Sequence, residues 1–241
     1  MRSIIGISVA CGALVLAATA PAHAADFSGQ EIGRAYSILM TNAEGKSLAG
    51  GTKMMSTFAV ASATKGSPDG PWLCDLSGVT EVEGKGGDQI VSVEFLSQKG
   101  QGVGDASQEI HVYGTANQAK RAYDGLVKRV KQCEGDQQPA ADDDTPGEGD
   151  DPTGFTTRLT NGSKKAADGD GFLWVRSTTT TPGPDAFAEH GYTTVRHFGR
   201  YVQIVQVQSE GTNAANLTAK QIRTADKLTD SLGDRWRAAF G

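Results

Sequence analysis

Few residues in this chain are spaced for catalysis. Beyond the first 24 residues, the histidines are His111, His190 and His197, and their spacing forms no metal-binding pair. No HExxH or GxSxG run accompanies them, so neither zinc-assisted nor serine hydrolysis has its usual framework. Ser62-Ala63-Thr64-Lys65 matches a bare SxxK, which needs Lys one helical turn from a nucleophilic Ser, but Thr, Ser and Val crowd the segment and no KTG follows. Gly45-Lys46-Ser47 ends like a phosphate-binding loop, yet Met40 stands where the first glycine of that cradle belongs. An EF-hand started at Asp142 places Pro146 fifth and Thr153 twelfth, where an oxygen ligand and a bidentate Glu are required. These residues predict no enzyme, no metal and no cofactor.

Binding chemistry is better represented. Tyr192, Arg196, Tyr201 and Gln203 fall on one face of a late hairpin, where two phenols, a guanidinium and an amide could line a cleft for a polar ligand. The competing reading is a sheet face covered by water or by a helix.

Compartment follows from the first 24 residues. Arg2, an apolar run from Ile4 to Ala20 and the small-x-small site Ala22-His23-Ala24 predict a signal peptide cleaved between Ala24 and Ala25. Ser8-Val9-Ala10-Cys11 offers a second reading, a lipoprotein acylated at Cys11, although Ser8 stands where Leu is usual and the preceding apolar stretch is short. Cleavage before Ala25 removes Cys11 and leaves Cys74 and Cys133 in an oxidising compartment, which predicts one disulfide. Closing a loop of about 60 residues would stabilise the fold by roughly 4 kcal/mol on the chain-entropy model.

The elements that must position these residues read as an α+β domain over 25–241. Phe27, Ser28, Glu31 and Ile32 combine a capping box with a hydrophobic staple, so a first helix starts there, carries Ile32, Ala35, Tyr36, Leu39 and Met40, and stops near Gly45. Thr57 to Val60 is a candidate strand. Gln89 to Ser97 alternates as a strand with Val91, Val93 and Phe95 on one face. A glycine-rich loop from Gln98 to Ser107 leads to its partner strand at Glu109 to Tyr113.

Thr115, boxed with Gln118, caps a helix whose stripe is Ala119, Ala122, Tyr123, Leu126, Val127 and Val130. Phe155 to Thr160, a turn at Asn161-Gly162, and Phe172 to Thr178 follow. Tyr192 to Phe198 and Tyr201 to Gln208 flank the two-residue loop Gly199-Arg200, which pairs Phe198 with Tyr201, Arg196 with Gln203, Thr194 with Val205 and Tyr192 with Val207. A last helix, capped at Thr218 and stapled by Leu217 and Ile222, buries Ala225, Leu228, Thr229, Leu232, Trp236 and Ala239, with Gly233 marking a bend. The sum is one or more antiparallel sheets of about six to seven strands packed by three main helices.

The chain has 241 residues and a formal net charge of -5. Eight carboxylates and no Lys or Arg lie between Glu134 and Asp151, so residues 134–153 read as a solvated, flexible acidic loop and the remainder is near neutral. Neither nucleic acid nor a membrane surface is implied, and no second apolar run is long enough to span a bilayer.

The segment IHVYGTANQAKRAYDGLVKRVKQCEG, together with VRHFGRYVQIVQVQSEG and Ala219 to Leu232, resembles the PknH-like extracellular sensor domain of actinobacteria. The likeness spans about Gln89 to Leu232. It implies an exported, non-enzymatic sensor or ligand-binding domain that takes a small molecule or an envelope component. Kinase-linked members carry a second disulfide in the later half and often a Trp before the cysteine; nothing after Cys133 supplies the first, and Gln132 replaces the second. Two further functions remain open: an envelope interaction module that contacts a protein through the acidic loop, and a secreted hydrolase.

Overall fold

In the computed structural model, residues 36–50, 53–62, 89–99, 102–132, 135–137, 156–165, 171–180, 187–212 and 214–240 are described, together with Gly33. The expected signal peptide, with Cys11 and Ala24, lies outside these residues, as do Ala25, Cys74, Cys133 and all of the acidic run except 135–137.

Alternating sequence builds one antiparallel sheet. Its strands are β1 (Lys53–Ser62), β2 (Gln89–Lys99), β3 (Gly102–Val112), β4 (Gly135–Gln137), β5 (Thr156–Lys165), β6 (Gly171–Thr180), β7 (Phe187–Phe198) and β8 (Tyr201–Thr212). They lie in the order β1-β2-β3-β8-β7-β6-β5-β4, so seven long strands end on a three-residue edge. Among the described residues, Gly33 and residues 36–38 are helical, within the first helix expected, and the longer helices are α1 (Asn42–Ala49), α2 (Ala116–Gln132) and α3 (Ala219–Phe240).

The sheet divides the core in two. On one side α1 and α3 place Leu48, Ala49, Ala225, Leu228, Leu232 and Trp236 against Val91, Phe95, Ile110, Val205 and Val207. On the other, the predicted α2 stripe of Ala119, Tyr123, Leu126 and Val130 packs on Leu173, Val175, Val195, Val202 and Ile204. β6 is covered on both sides: Leu173 and Val175 belong to the second core, Trp174 packs against the first, and Phe172 is fully buried.

The final hairpin has the register its loop dictates: Phe198 pairs with Tyr201, Arg196 with Gln203, Thr194 with Val205 and Tyr192 with Val207. Gly199 adopts φ 52, the left-handed conformation such a loop needs at its first position. The predicted capping box on α3 forms in both directions, the Thr218 hydroxyl accepting from the Gln221 N–H and Gln221 Oε1 from the Thr218 N–H, whereas at α2 the Thr115 hydroxyl accepts from the Gln118 N–H and donates to Gln118 Oε1.

Three expectations built on glycine fail, each for a packing reason. Gly45 does not stop a helix; it sits inside α1, which Thr41 and Glu44 cap, and a Cβ there would come within 2.4 Å of the Phe95 ring. Gln98 to Ser107 is mostly strand, because Gly104 belongs to β3 where the Ala49 carbonyl would lie 2.4 Å from any Cβ. Asn161-Gly162 is no turn but the middle of β5: Asn161 donates to the Val130 carbonyl at the end of α2, and Gly162 lies against the Trp174 indole. Residues 135–137 likewise depart from the expected loop, pairing with β5 as β4.

Candidate functional site

The four residues expected to line a cleft do share a face, but α3 covers it. Tyr192, Arg196, Tyr201 and Gln203 are all buried. The Tyr192 hydroxyl donates to Asp226 Oδ1 at 2.7 Å, and Arg196 Nη1 donates to the Asp230 carbonyl at 2.8 Å, with Asp234 Oδ1 3.4 Å from Nη2. Gln203 Nε2 donates to the Thr229 carbonyl at 2.8 Å, and Tyr201 packs among Phe198, Trp236 and Phe240. The cleft reading is therefore corrected: these groups fasten a helix to a sheet.

That fastening is a continuous polar chain through the first core. Gln108 Oε1 accepts from the Met40 N–H at 2.7 Å, and Gln108 Nε2 donates to Gln203 Oε1 at 3.3 Å. Thr194 meets Thr229, whose hydroxyl also reaches the Ala225 carbonyl. Buried amides and hydroxyls with satisfied partners specify one seating for α3, since any slip would leave several of them unpaired.

The open chemistry lies on the opposite side of the sheet, beyond the end of the α2 footprint. Along β8, the residues facing this side change from Val202 and Ile204 to Gln206, Gln208 and Glu210; along β6, from Leu173 and Val175 to Ser177 and Thr179. Register places Glu94 and Leu96 of β2 opposite Ser107 and Asp105 of β3, which in turn face Gln206 and Gln208. The β8 amides form a ladder: Gln206 Nε2 donates to Gln208 Oε1 at 3.0 Å and Gln208 Nε2 to Glu210 Oε2 at 3.3 Å.

Asp105 stands at the centre of this surface. Its Oδ1 is buried and accepts no hydrogen bond among the described residues. Burial, reinforced by the Glu94 and Glu210 carboxylates, pushes its carboxyl up to about 7, against a smaller pull downward from the Ala106 backbone N–H. A half-covered carboxyl with an idle oxygen, flanked by two acids and an amide ladder, can accept hydrogen bonds from a donor. The strand alternation Asp105, Ser107, Glu109 against Gly104, Ala106, Gln108, Ile110 is the sequence signal for this face; reading the glycines as a loop concealed it.

The remaining sequence candidates are engaged locally or lie elsewhere. Buried His111 contacts Glu109 Oε2 at 3.1 Å, His190 approaches the Thr178 hydroxyl at 3.5 Å, and His197 meets the Gly199 carbonyl at 3.1 Å. Among the described residues no cluster of three His, Cys, Asp or Glu side chains could hold a metal ion. Ser62 ends β1, while Lys65 of the SxxK run lies outside the described residues. Among those residues, no helix is long and apolar enough to cross a membrane.

No known protein family matches the chain, and no curated protein does. Its fold is similar to a crystal structure of the extracellular domain of PknH from Mycobacterium tuberculosis, with a TM-score of 0.52 and 13% sequence identity, covering 84% of this chain and 96% of that one. The shared architecture is α+β.

Proposed function

We propose that the chain is an exported, non-enzymatic ligand-binding module of the sensor type, and that its ligand lies on the open polar half of the sheet around Asp105. The observation that carries this is the buried, partnerless Asp105 Oδ1 between Glu94 and Glu210. Desolvating a carboxylate without a partner destabilises a fold, and a ligand that donates to it removes that cost. Amine and hydroxyl donors suit a surface made of carboxylates and amide oxygens. The likeness in fold to an extracellular domain, and the signal peptide expected to end at Ala24, are in keeping with a ligand met outside the cytoplasm.

Thermal shift with oligomeric sugars tests this reading. A glucosamine trimer, carrying free amines, should raise Tm, because a ligand that binds only the folded state stabilises it by mass action. Its N-acetylated counterpart should do less, and Asp105→Asn should lose at least about tenfold in affinity, equivalent to about 1.4 kcal/mol. An unchanged affinity in Asp105→Asn, or no Tm response to the amine-bearing trimer, would count against it.

A further inference from the structure

A second open surface lies on the α3 side of the sheet, over β5 and β6. In register, Thr160 faces Arg176, Gly162 faces Trp174 and Arg158 faces Thr178. Arg158, Thr160 and Arg176 are exposed, and Trp174 and Thr178 are partly so. The indole rests directly on the strand beside it: a Cβ at Gly162 would come within 2.7 Å of Trp174 Cε2 and Cζ2 and 2.8 Å of Nε1. Tyr192 stacks alongside at 6.3 Å between ring centroids and 26° between planes, itself held by its hydrogen bond to Asp226. Trp174 is thus fixed by a glycine beneath it and an anchored phenol beside it, at the border of α3, with a guanidinium two residues along the same strand.

We propose that Trp174 and Arg176 form a binding site for a carboxylate-bearing sugar of an extracellular polymer. The negative face of an aromatic ring attracts the weakly positive C–H face of a pyranose. The planar guanidinium matches a carboxylate in a paired hydrogen-bonded geometry that an ammonium cannot offer. Arg158 adds positive charge on the neighbouring strand, and the hydroxyls of Thr160 and Thr178 suit those of a sugar ring. An aliphatic acid would use the guanidinium and leave the indole idle; a neutral sugar would do the reverse. A ring carrying an acid uses both. Gly162 belongs to this site because any side chain there would lift the indole from the strand.

Titration of the protein with tri-galacturonate, followed by tryptophan fluorescence and calorimetry, tests the site, with maltotriose as the uncharged comparator. The acidic trimer should bind at least about tenfold more tightly than maltotriose. Arg176→Gln should abolish that preference, and Trp174→Leu should remove binding of both sugars together with the fluorescence change. Gly162→Ala leaves both contacting groups in the chain and should weaken binding by about tenfold or more with an unaltered circular dichroism spectrum. If that variant does not fold, the other two variants decide the matter. Asp105→Asn, on the other side of the sheet, should leave galacturonate affinity unchanged. No saturable binding below about 10 mM, or full affinity in Trp174→Leu, would overturn the proposal.

Discussion

Gly233 of α3 and Arg196 of β7 are fitted to one another: a Cβ at 233 would stand 2.8 Å from Arg196 Nη1 and 3.2 Å from its Cδ. The missing side chain is what lets a buried guanidinium reach the Asp230 carbonyl at 2.8 Å. The glycine expected to bend the last helix instead makes room for its anchor.

Gly233→Ala therefore sets helix propensity against packing. Replacing an interior helix glycine by alanine alone would stabilise by about 1 kcal/mol. Displacing a buried, hydrogen-bonded guanidinium costs more, so urea denaturation should register a net loss of about 1 kcal/mol. In an Arg196→Met background the same substitution should stabilise. A stabilising effect in both backgrounds would show that the two residues are not coupled.

Asp105 makes stability depend on pH in a direction opposite to most carboxylates. Its folded value, about 7, lies above the ordinary 3.8, so the folded state holds the proton more tightly. The resulting stabilisation is full below about pH 3.8, declines as pH rises and is gone above about 7. Asp105→Asn removes this dependence. Near pH 8 the variant should be more stable than the parent by about 1 kcal/mol, a figure reduced for the solvent that still reaches the carboxyl. Denaturation across the pH range should show the difference shrinking toward acid; a constant offset would mean that Asp105 titrates normally.

Gly45→Ala tests the seating of α1 on β2. The new methyl would meet the buried Phe95 ring at 2.4 Å, and an aromatic ring enclosed in a core has little room to move. Thermal unfolding should show a loss of about 1–3 kcal/mol, where an exposed helix glycine would give a gain.

Gln108→Leu tests the polar chain that seats α3. It leaves the Met40 N–H without its acceptor and Gln203 without a donor, in a site closed to water. The expected cost is about 1–3 kcal/mol. A neutral result would assign Gln108 no part in holding the segment around Met40.

The Glu44 carboxylate links the two helices on the same side. Burial alone would raise its pKa, but the Arg235 guanidinium and the Thr41 hydroxyl and N–H outweigh that and hold it below the usual carboxylate range. Because the folded value is depressed, its contribution is present above the ordinary value of 4.5 and lost as pH falls through the folded one. Glu44→Gln should weaken the α1 cap by about 1 kcal/mol near neutral pH, with the difference from the parent narrowing in acid.

Export and the disulfide have a single direct check. Intact mass of the secreted protein should correspond to a chain beginning at Ala25 with a mass two hydrogens low, as a Cys74–Cys133 bond requires. An acylated Cys11 start would replace the cleavage at Ala24, and two free thiols would remove the disulfide.

The register of the last hairpin was legible because a two-residue loop leaves no freedom in pairing, so the face shared by Tyr192, Arg196, Tyr201 and Gln203 followed from counting. What covers that face was not legible, since periodicity says which residues of α3 turn inward but not on which side of a sheet the helix lands. Glycine was the main source of error. Gly45, Gly104 and Gly162 resemble punctuation in the sequence, yet each marks a close approach, of Phe95, of the Ala49 carbonyl and of Trp174. Reading Gly104 as part of a loop also kept Asp105 off its strand, and with it the centre of the open face.

Backbone amide NMR during titration with the glucosamine trimer reads, residue by residue, whether the Asp105 face holds the ligand. Shift changes should concentrate on β2, β3 and β8 at Glu94, Asp105, Ser107, Gln206 and Gln208, and should fade in Asp105→Asn. Changes confined to the outer surfaces of α2 or α3, or an unaltered spectrum at saturating trimer, would contradict it.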